Sequence, residues 1–376
     1  MKRALLRTLP LVLLAVCSAC STRDEATAPA WPAWTLFTEQ FVEPNGRVVD
    51  VTFEHKTTSE GQSYALFFAL VANDPALFER VLHWTSRSLA SGRLGRELPA
   101  WHWGKRSNGT WGVKDRNSAS DADLWLAYTL LEAGRLWQQP RYTRVGYELL
   151  DQISHREVVE VGSRQYLLPG PSGFQLDEGR YRVNPSYYPG FLFTYLKNAQ
   201  PTGPWKALWA TYSAMTSRIF KAGVAPDLVV VDSLGEVWDD TERPPRGSYD
   251  AIRVYLWAGM SGATGDDALR LLQPYARMLR SLGVPPEQVD PVSGAALRVD
   301  YSPSGFSAAV LPFLHSLGDQ AELQQQQRRV DDALAKALST GRSNYYDQAL
   351  ILFGEGWVTH RFHFDAAGRL HPAWAP

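Results

Sequence analysis

The sequence predicts an all-α chain folded as an (α/α)6 barrel, a toroid of six inner and six outer helices with small β excursions. Helix starts recur near residues 59, 120, 184, 248, 302 and 343, each opening on Ser, Asn or Pro and running into Ala, Leu, Tyr and Phe. Between them lie amphipathic stretches, Pro75 to Leu89, Pro140 to Leu150, Pro204 to Ile219, Asp266 to Leu282 and Ala321 to Leu338. A helix apolar all round is buried, whereas an amphipathic one has an outside. Their alternation therefore describes helical hairpins set in a ring. No segment beyond residue 33 reads as a linker, so residues 34–376 are expected to form one domain.

At the N-terminus, Met1-Lys2-Arg3 and Arg7 supply positive charge, Leu11 to Val16 a short apolar run, and Ser18-Ala19 small residues. This is the pattern of an export signal over residues 1–20, and the apolar run is too short to span a bilayer. Cleavage after Ala19 would start the mature chain at Cys20, a site for a lipid anchor, although Cys17 stands where Leu is usual in such signals. The chain has 2 cysteines, Cys17 and Cys20, so the mature part has neither a disulfide nor a Cys-held metal to draw on. Residues 21–33 read as a flexible lead-in and Leu36 to Phe41 as a short first outer helix. Glu157 to Tyr166 and Leu228 to Asp232 read as β pieces at a barrel end.

A formal charge of −1 gives no electrostatic ground for a nucleic-acid or anionic-membrane partner. With 45% apolar and 20% charged residues the composition is that of an ordinary globular protein. Its unusual feature is 14 Trp, 16 Tyr and 15 Phe. Most must build core, but a surplus of indoles also suits a cleft that stacks sugar rings.

Three helix starts carry acids. In Ser59-Glu60-Gly61-Gln62-Ser63-Tyr64, Ser59 and Gln62 fit a capping box that sets Glu60 in the first turn. From that segment alone, Glu60 either complements the helix dipole or acts as an acid. Gly61 is costly inside a helix, which implies a close approach to the backbone there. In Ala119-Ser120-Asp121-Ala122-Asp123 the two acids lie two residues apart and point in nearly opposite directions, so one of them faces a cleft. In Ser248-Tyr249-Asp250-Ala251-Ile252-Arg253, Asp250 and Arg253 share a face that continues to Trp257. A guanidinium there favours the anionic carboxylate a general base needs, although the same spacing also makes an ordinary surface ion pair. Acids gathered at one end of a helical barrel are what glycosidic cleavage requires.

Other chemistries lack their motifs: the chain has no Walker A loop, dinucleotide fingerprint, His-Glu-x-x-His or Gly-x-Ser-x-Gly. His360 and His363, with Asp365, sit in an alternating stretch, Val358 to Phe364, that reads as a strand with structural rather than metal-binding histidines.

The stretch from Ala119-Ser120-Asp121-Ala122-Asp123 through Ala133 to Trp137 closely resembles the signature of glycoside hydrolase family 8, departing only at Leu126 and Thr129. Ser59 to Tyr64 resembles the family's general-acid motif and Tyr249 to Arg253 its general-base motif. Further similarity runs through Trp101-His102-Trp103-Gly104-Lys105, Asn184-Pro185-Ser186-Tyr187-Tyr188 and Tyr345-Tyr346-Asp347-Gln348. Within the family the chain is most similar to periplasmic endoglucanases of bacterial cellulose synthase systems. The resemblance implies inverting hydrolysis of a β-1,4-glucan chain in the periplasm, with the cellulose synthase export machinery as a partner and no metal or organic cofactor. It makes Glu60 the acid, Asp250 the base and Arg253 its charge partner. Asp121, taken over Asp123 on the resemblance alone, holds the distorted sugar. Tyr187 and Asn184 then lie near the same subsite, and Trp101 and Trp103 are candidate stacking platforms. Two alternatives are a hydrolase of xylan, chitosan or mixed-linkage glucan, and a glucan-binding protein without turnover.

Overall fold

A computed structural model describes residues 30–177, 179–261 and 267–375, so the expected export signal and most of the lead-in lie outside the described residues. In chain order the first helices are α1 (Pro32–Phe41), α2 (Ser59–Val71), α3 (Pro75–Leu89), α4 (Ser120–Leu136), α5 (Pro140–Arg156), α6 (Gly190–Ala199) and α7 (Trp205–Ile219). They are followed by α8 (Ile252–Ser261), α9 (Asp267–Leu271), α10 (Gln273–Leu282), α11 (Ser304–Ala309), α12 (Leu311–Ser316), α13 (Gln320–Thr340) and α14 (Tyr345–Val358).

Inner and outer helices alternate as expected. The inner ones are α2, α4, α6, α8, the α11–α12 pair and α14, and the outer ones are α1, α3, α5, α7, the α9–α10 pair and α13. Pro274 and Pro312 stand in the first turn of α10 and α12, which divides two of the twelve positions because proline lacks the N–H a continuous helix needs. Contacts between α14 and α2 close the ring.

The inner helices are buried on nearly every face. In α2 all residues but Glu60 are buried, so this apolar helix shows solvent a single acid at its first turn. The barrel axis is filled by rings: Phe67, Phe353 and Trp125 meet at centroid distances of 4.9–5.7 Å, and Trp257 lies 5.4 Å from Trp125. Such stacked, tilted and edge-on pairs add to the large apolar area each ring buries.

Short antiparallel strands, β1 (Thr57–Thr58), β2 (His102–Lys105) and β3 (Trp111–Asp115), form one sheet in the order β1-β2-β3. The strands β4 (Val158–Val161) and β5 (Arg164–Leu167) make a hairpin where the β piece after Glu157 was expected. Then β6 (Tyr181–Val183), β7 (Val229–Val231) and β8 (Val237–Asp239) form a second three-stranded sheet. The pairs β9 (Gln288–Val289) with β10 (Ala296–Arg298), and β11 (Phe362–Phe364) with β12 (Leu370–Pro372), complete the strands.

Four boundaries differ from expectation. Trp31 is buried against Phe68 (5.8 Å) and α1 begins at Pro32, so the end of the expected lead-in belongs to the folded body. Near 184 there is only a 3-10 turn, Pro185–Tyr187, and α6 waits until Gly190. Pro189 disfavours helical backbone at Tyr188, whose φ/ψ of −119°/63° lies outside it. The helix after Ser248 begins at Ile252, beyond a turn that carries Asp250. At the end of the chain α14 runs through Val358 and the strand spans only Phe362–Phe364, because the apolar run of α14 packs inside the barrel rather than alternating between faces. The expected helix start at Asp266 lies outside the described residues.

Candidate active site

Arg253 organises the site. It projects from the first turn of α8 with 3% of its surface exposed, yet it meets three carboxylates from three inner-helix starts. Its Nη1 donates to Glu60 Oε2, to Asp121 Oδ2 at 3.0 Å and to Tyr64 Oη at 3.3 Å. Its Nη2 donates to Asp250 Oδ1 at 2.6 Å. The planar fork allows this sharing, which a lysine could not reproduce. The Tyr187 ring lies 5.5 Å from the guanidinium carbon, close enough for a cation–π contact.

The cap on α2 is Thr58 rather than Ser59: Thr58 Oγ1 accepts from Gly61 N at 3.1 Å, and Ser59 is already helical. Gln62 does not close a capping box. Its amide is turned inward, accepting from Val48 N at 2.6 Å and donating to Thr85 Oγ1 at 2.8 Å. Gly61 answers its sequence signal, since a Cβ there would stand 2.3 Å from the hydroxyl of the buried Tyr345.

The two acids of α4 separate as their spacing dictates. Asp121 turns toward Arg253 and also accepts from Ala122 N at 2.8 Å. Burial pushes its carboxyl up to about 7, against the pull of Arg253, and the charge of Glu60 adds to the rise. Asp123, fully buried, turns the other way toward Glu157, which accepts from Ser118 Oγ at 2.5 Å. Burial raises both acids of this second pair, Glu157 to about 8.

Asp250 is the most open of the three site acids, its side chain 42% exposed against 23% for Glu60 and 6% for Asp121. The turn that carries it is held from outside. Asp227 Oδ1 accepts from Ser248 N at 2.7 Å and from Ala251 N at 3.0 Å. Burial, and then the charge of Asp250, push Asp227 up to about 6.

Asn184 uses its Oδ1 to cap the 3-10 turn, accepting from Ser186 N at 2.9 Å and Ser186 Oγ at 2.7 Å, and so holds the turn that presents Tyr187. Trp101 stands beside the acid, its carbonyl accepting from Ser59 N at 3.1 Å and its indole donating to Asp115. Trp103 is engaged by three other side chains. It packs edge-on against Trp84 of outer helix α3 at 5.4 Å, stacks on Trp111 at 5.4 Å, and has the Arg47 guanidinium 4.3 Å from its ring. The pairing of β2 with β3 shifts register between His102 and Trp103, so strict strand alternation does not carry from Trp101 to Trp103.

Sequence reasoning missed Tyr64, Asp227 and Tyr346. Tyr64 had a signal, because it stands one helical turn after Glu60 on the same face. Tyr346 donates to Tyr249 O at 2.5 Å and joins the wall beside Asp250 through a second motif. Asp227 lies in a loop without local pattern. His363 stacks on His371 at 4.9 Å, and His371 Nε2 lies 3.2 Å from Asp365 Oδ2, an arrangement internal to the β11–β12 hairpin.

Residues 1–360 match Glycosyl hydrolases family 8. The chain is 44% identical over 372 residues to an endoglucanase of Xanthomonas axonopodis pv. citri, covering 97% of this chain and 93% of the relative. It is 42% identical over 370 residues to an endoglucanase of Escherichia coli K12, covering 97% and 96%. The crystal structure of an endo-1,4-D-glucanase from Vibrio fischeri ES114 superposes with a TM-score of 0.86 at 37% identity, covering 92% of this chain and 99% of that one. With its three acids gathered on one arginine at the mouth of the helical barrel, the chain belongs to glycosyl hydrolase family 8.

Proposed function

We propose that this enzyme is an endo-β-1,4-glucanase that cleaves with inversion. The observation that carries the reading is the division of labour on Arg253: Glu60 sits on Nη1 and Asp250 on Nη2. A guanidinium between two carboxylates keeps them from touching. Inverting hydrolysis needs such a gap, because a water must enter between the base and the anomeric carbon. Glu60 protonates the leaving glycosidic oxygen as that bond breaks. Asp250 takes a proton from the water, whose oxygen forms the new bond on the opposite face of the ring. The greater exposure of Asp250 supports this role, since a base that activates water must be reached by water.

Asp121, deeper in the site, holds the distorted sugar at the cleavage point, with Tyr187 and Tyr64 beside it. Trp101 is the stacking ring on the Glu60 side. The endoglucanase names of the relatives from Xanthomonas and Escherichia support a glucan, and the endo-1,4-D-glucanase from Vibrio fischeri supports the 1,4 linkage. The signal-like residues 1–20 and the resemblance of the acid, base and α4 motifs support a periplasmic enzyme of bacterial cellulose biosynthesis, acting beside the synthase export machinery, with Cys20 available for a lipid anchor. A panel of soluble cellulose, mixed-linkage glucan, xylan and chitosan, read by released reducing ends, tests class and linkage together. The reading expects the highest kcat/KM on β-1,4-glucan, and release from xylan or chitosan alone overturns it.

A further inference from the structure

We infer that Asp227 is a positioning residue for the catalytic base, an inference that rests on the reading of Asp250 given above. The helix that bears Arg253 begins only at Ile252, so Asp250 sits on the turn in front of it rather than in regular helix. A turn with free amides is a soft support for a group that must hold a water in line. The sequence offers Ser248 as the local cap, but its hydroxyl donates elsewhere, to Glu287 O at 3.0 Å. The capping acceptor comes from another segment.

Asp227 Oδ1 receives Ser248 N and Ala251 N, the amides on either side of Tyr249-Asp250, at 2.7 and 3.0 Å. One carboxylate oxygen thus closes the base of the turn, and Asp227 is 8% exposed. Its own backbone is tied to the residues just before that turn, with Asp227 N donating to Arg246 O at 2.8 Å, and its Oδ2 lies 3.3 Å from Arg246 Nε.

Two further contacts make this a built seat. Gly247 lies so close to the segment of Asp227 that a Cβ would stand 1.9 Å from Ala225 O, so only glycine lets the two backbones meet. Tyr255, on α8 itself, accepts from Ala225 N at 2.9 Å, which registers the same segment against the helix of Arg253. On the other flank Gly247 and Val289 exchange both backbone hydrogen bonds at 2.9 Å. The turn is therefore held on both sides, and Asp227 supplies the contacts to the two amides that bracket Tyr249-Asp250.

The role depends on an acceptor oxygen at that point and not on charge, and this separates it from a general structural contribution. In Asp227→Ala both amides lose their partner and the turn loosens. A displacement of about 1 Å at a reacting group costs on the order of 10²-fold, so kcat on soluble cellulose should fall by about that factor while KM stays near the wild-type value. Asp227→Asn keeps an oxygen that accepts both bonds and should recover most of the turnover that Asp227→Ala loses. A tenfold or greater loss of kcat in Asp227→Asn overturns the inference, and that arm decides alone should Asp227→Ala not fold. A folded Asp227→Ala enzyme with wild-type kcat, or one whose loss lies wholly in KM, also overturns it. The wild-type rate in the same assay reports on the functional reading, and the ratio of variant to wild type reports on Asp227.

Discussion

Replacing Arg253 by Met tests whether one buried cation holds three carboxylates in place. Arg253 and Asp121 have side chains only 4% and 6% exposed, so their 3.0 Å contact is a buried pair. Removing one partner of such a pair costs about 3–5 kcal/mol, because the other charge is left buried and unpaired. The Asp250 contact adds little, since that carboxylate is 42% exposed and a solvent-facing pair contributes only about 0–1 kcal/mol.

The loss should depend on pH in a defined direction. In the native enzyme burial holds Asp121 up near 7, above the value it takes when unfolded. Stability tied to its protonated form is full in acid and is lost as pH rises through about 7. Arg253 opposes that rise, so without it the loss continues to higher pH. The variant should unfold at a clearly lower denaturant concentration at pH 8.5 and approach wild type at pH 5. Turnover of soluble cellulose should fall by about 10²-fold or more, through misplaced acids. Lys at this position should not restore it, since one ammonium cannot fork to Asp250 and Asp121 together. Equal midpoints for Arg253→Met and wild type at both pH values, or full turnover, would refute the reasoning.

Other consequences can be checked alongside. Glu60→Gln removes the transferable proton and should lower kcat by about 10²-fold or more with glucan binding retained; normal turnover would reduce Glu60 to a partner of the helix dipole. Burial holds Glu157 up to about 8, so the native protein keeps a proton that the unfolded chain releases near pH 4.5, and stability falls as pH rises through about 8. Glu157→Gln should flatten that slope in chemical unfolding between pH 5 and 9, and an unchanged slope would remove the pair with Asp123 from the explanation. Gly61→Ala drives a methyl group against the Tyr345 hydroxyl and should destabilise by about 1–3 kcal/mol. Adding Tyr345→Phe should recover part of that loss, and strictly additive effects would mean the two residues do not meet.

The ring of helices was legible because its signals are local. Pro75 to Leu89 is a helix with the expected bounds, and α2 and α4 start near residues 59 and 120 as the pattern predicts, each with its serine inside the helix rather than capping it. Boundaries failed where a neighbour in space decided them. Thr58 took the cap from Ser59, Gln62 turned inward to Thr85 instead of closing a capping box, and Asp227 took the capping role from Ser248. The three acids were legible one at a time, but their meeting on Arg253 was not, since an i, i+3 spacing reveals one partner and the other two arrive from distant helices. The i, i+2 spacing of Asp121 and Asp123 did foretell that they part. Trp101 and Trp103 could not be told apart, because the register shift between His102 and Trp103 leaves no mark in the sequence.

The most direct test of the account is the anomeric configuration of the first product, followed by proton NMR during hydrolysis of a soluble cello-oligosaccharide before mutarotation. If Glu60 is the acid and Asp250 activates water on the opposite face, the new reducing end must appear as the α-anomer. Initial release of the β-anomer would contradict the account, for Asp250 would then have attacked the sugar itself.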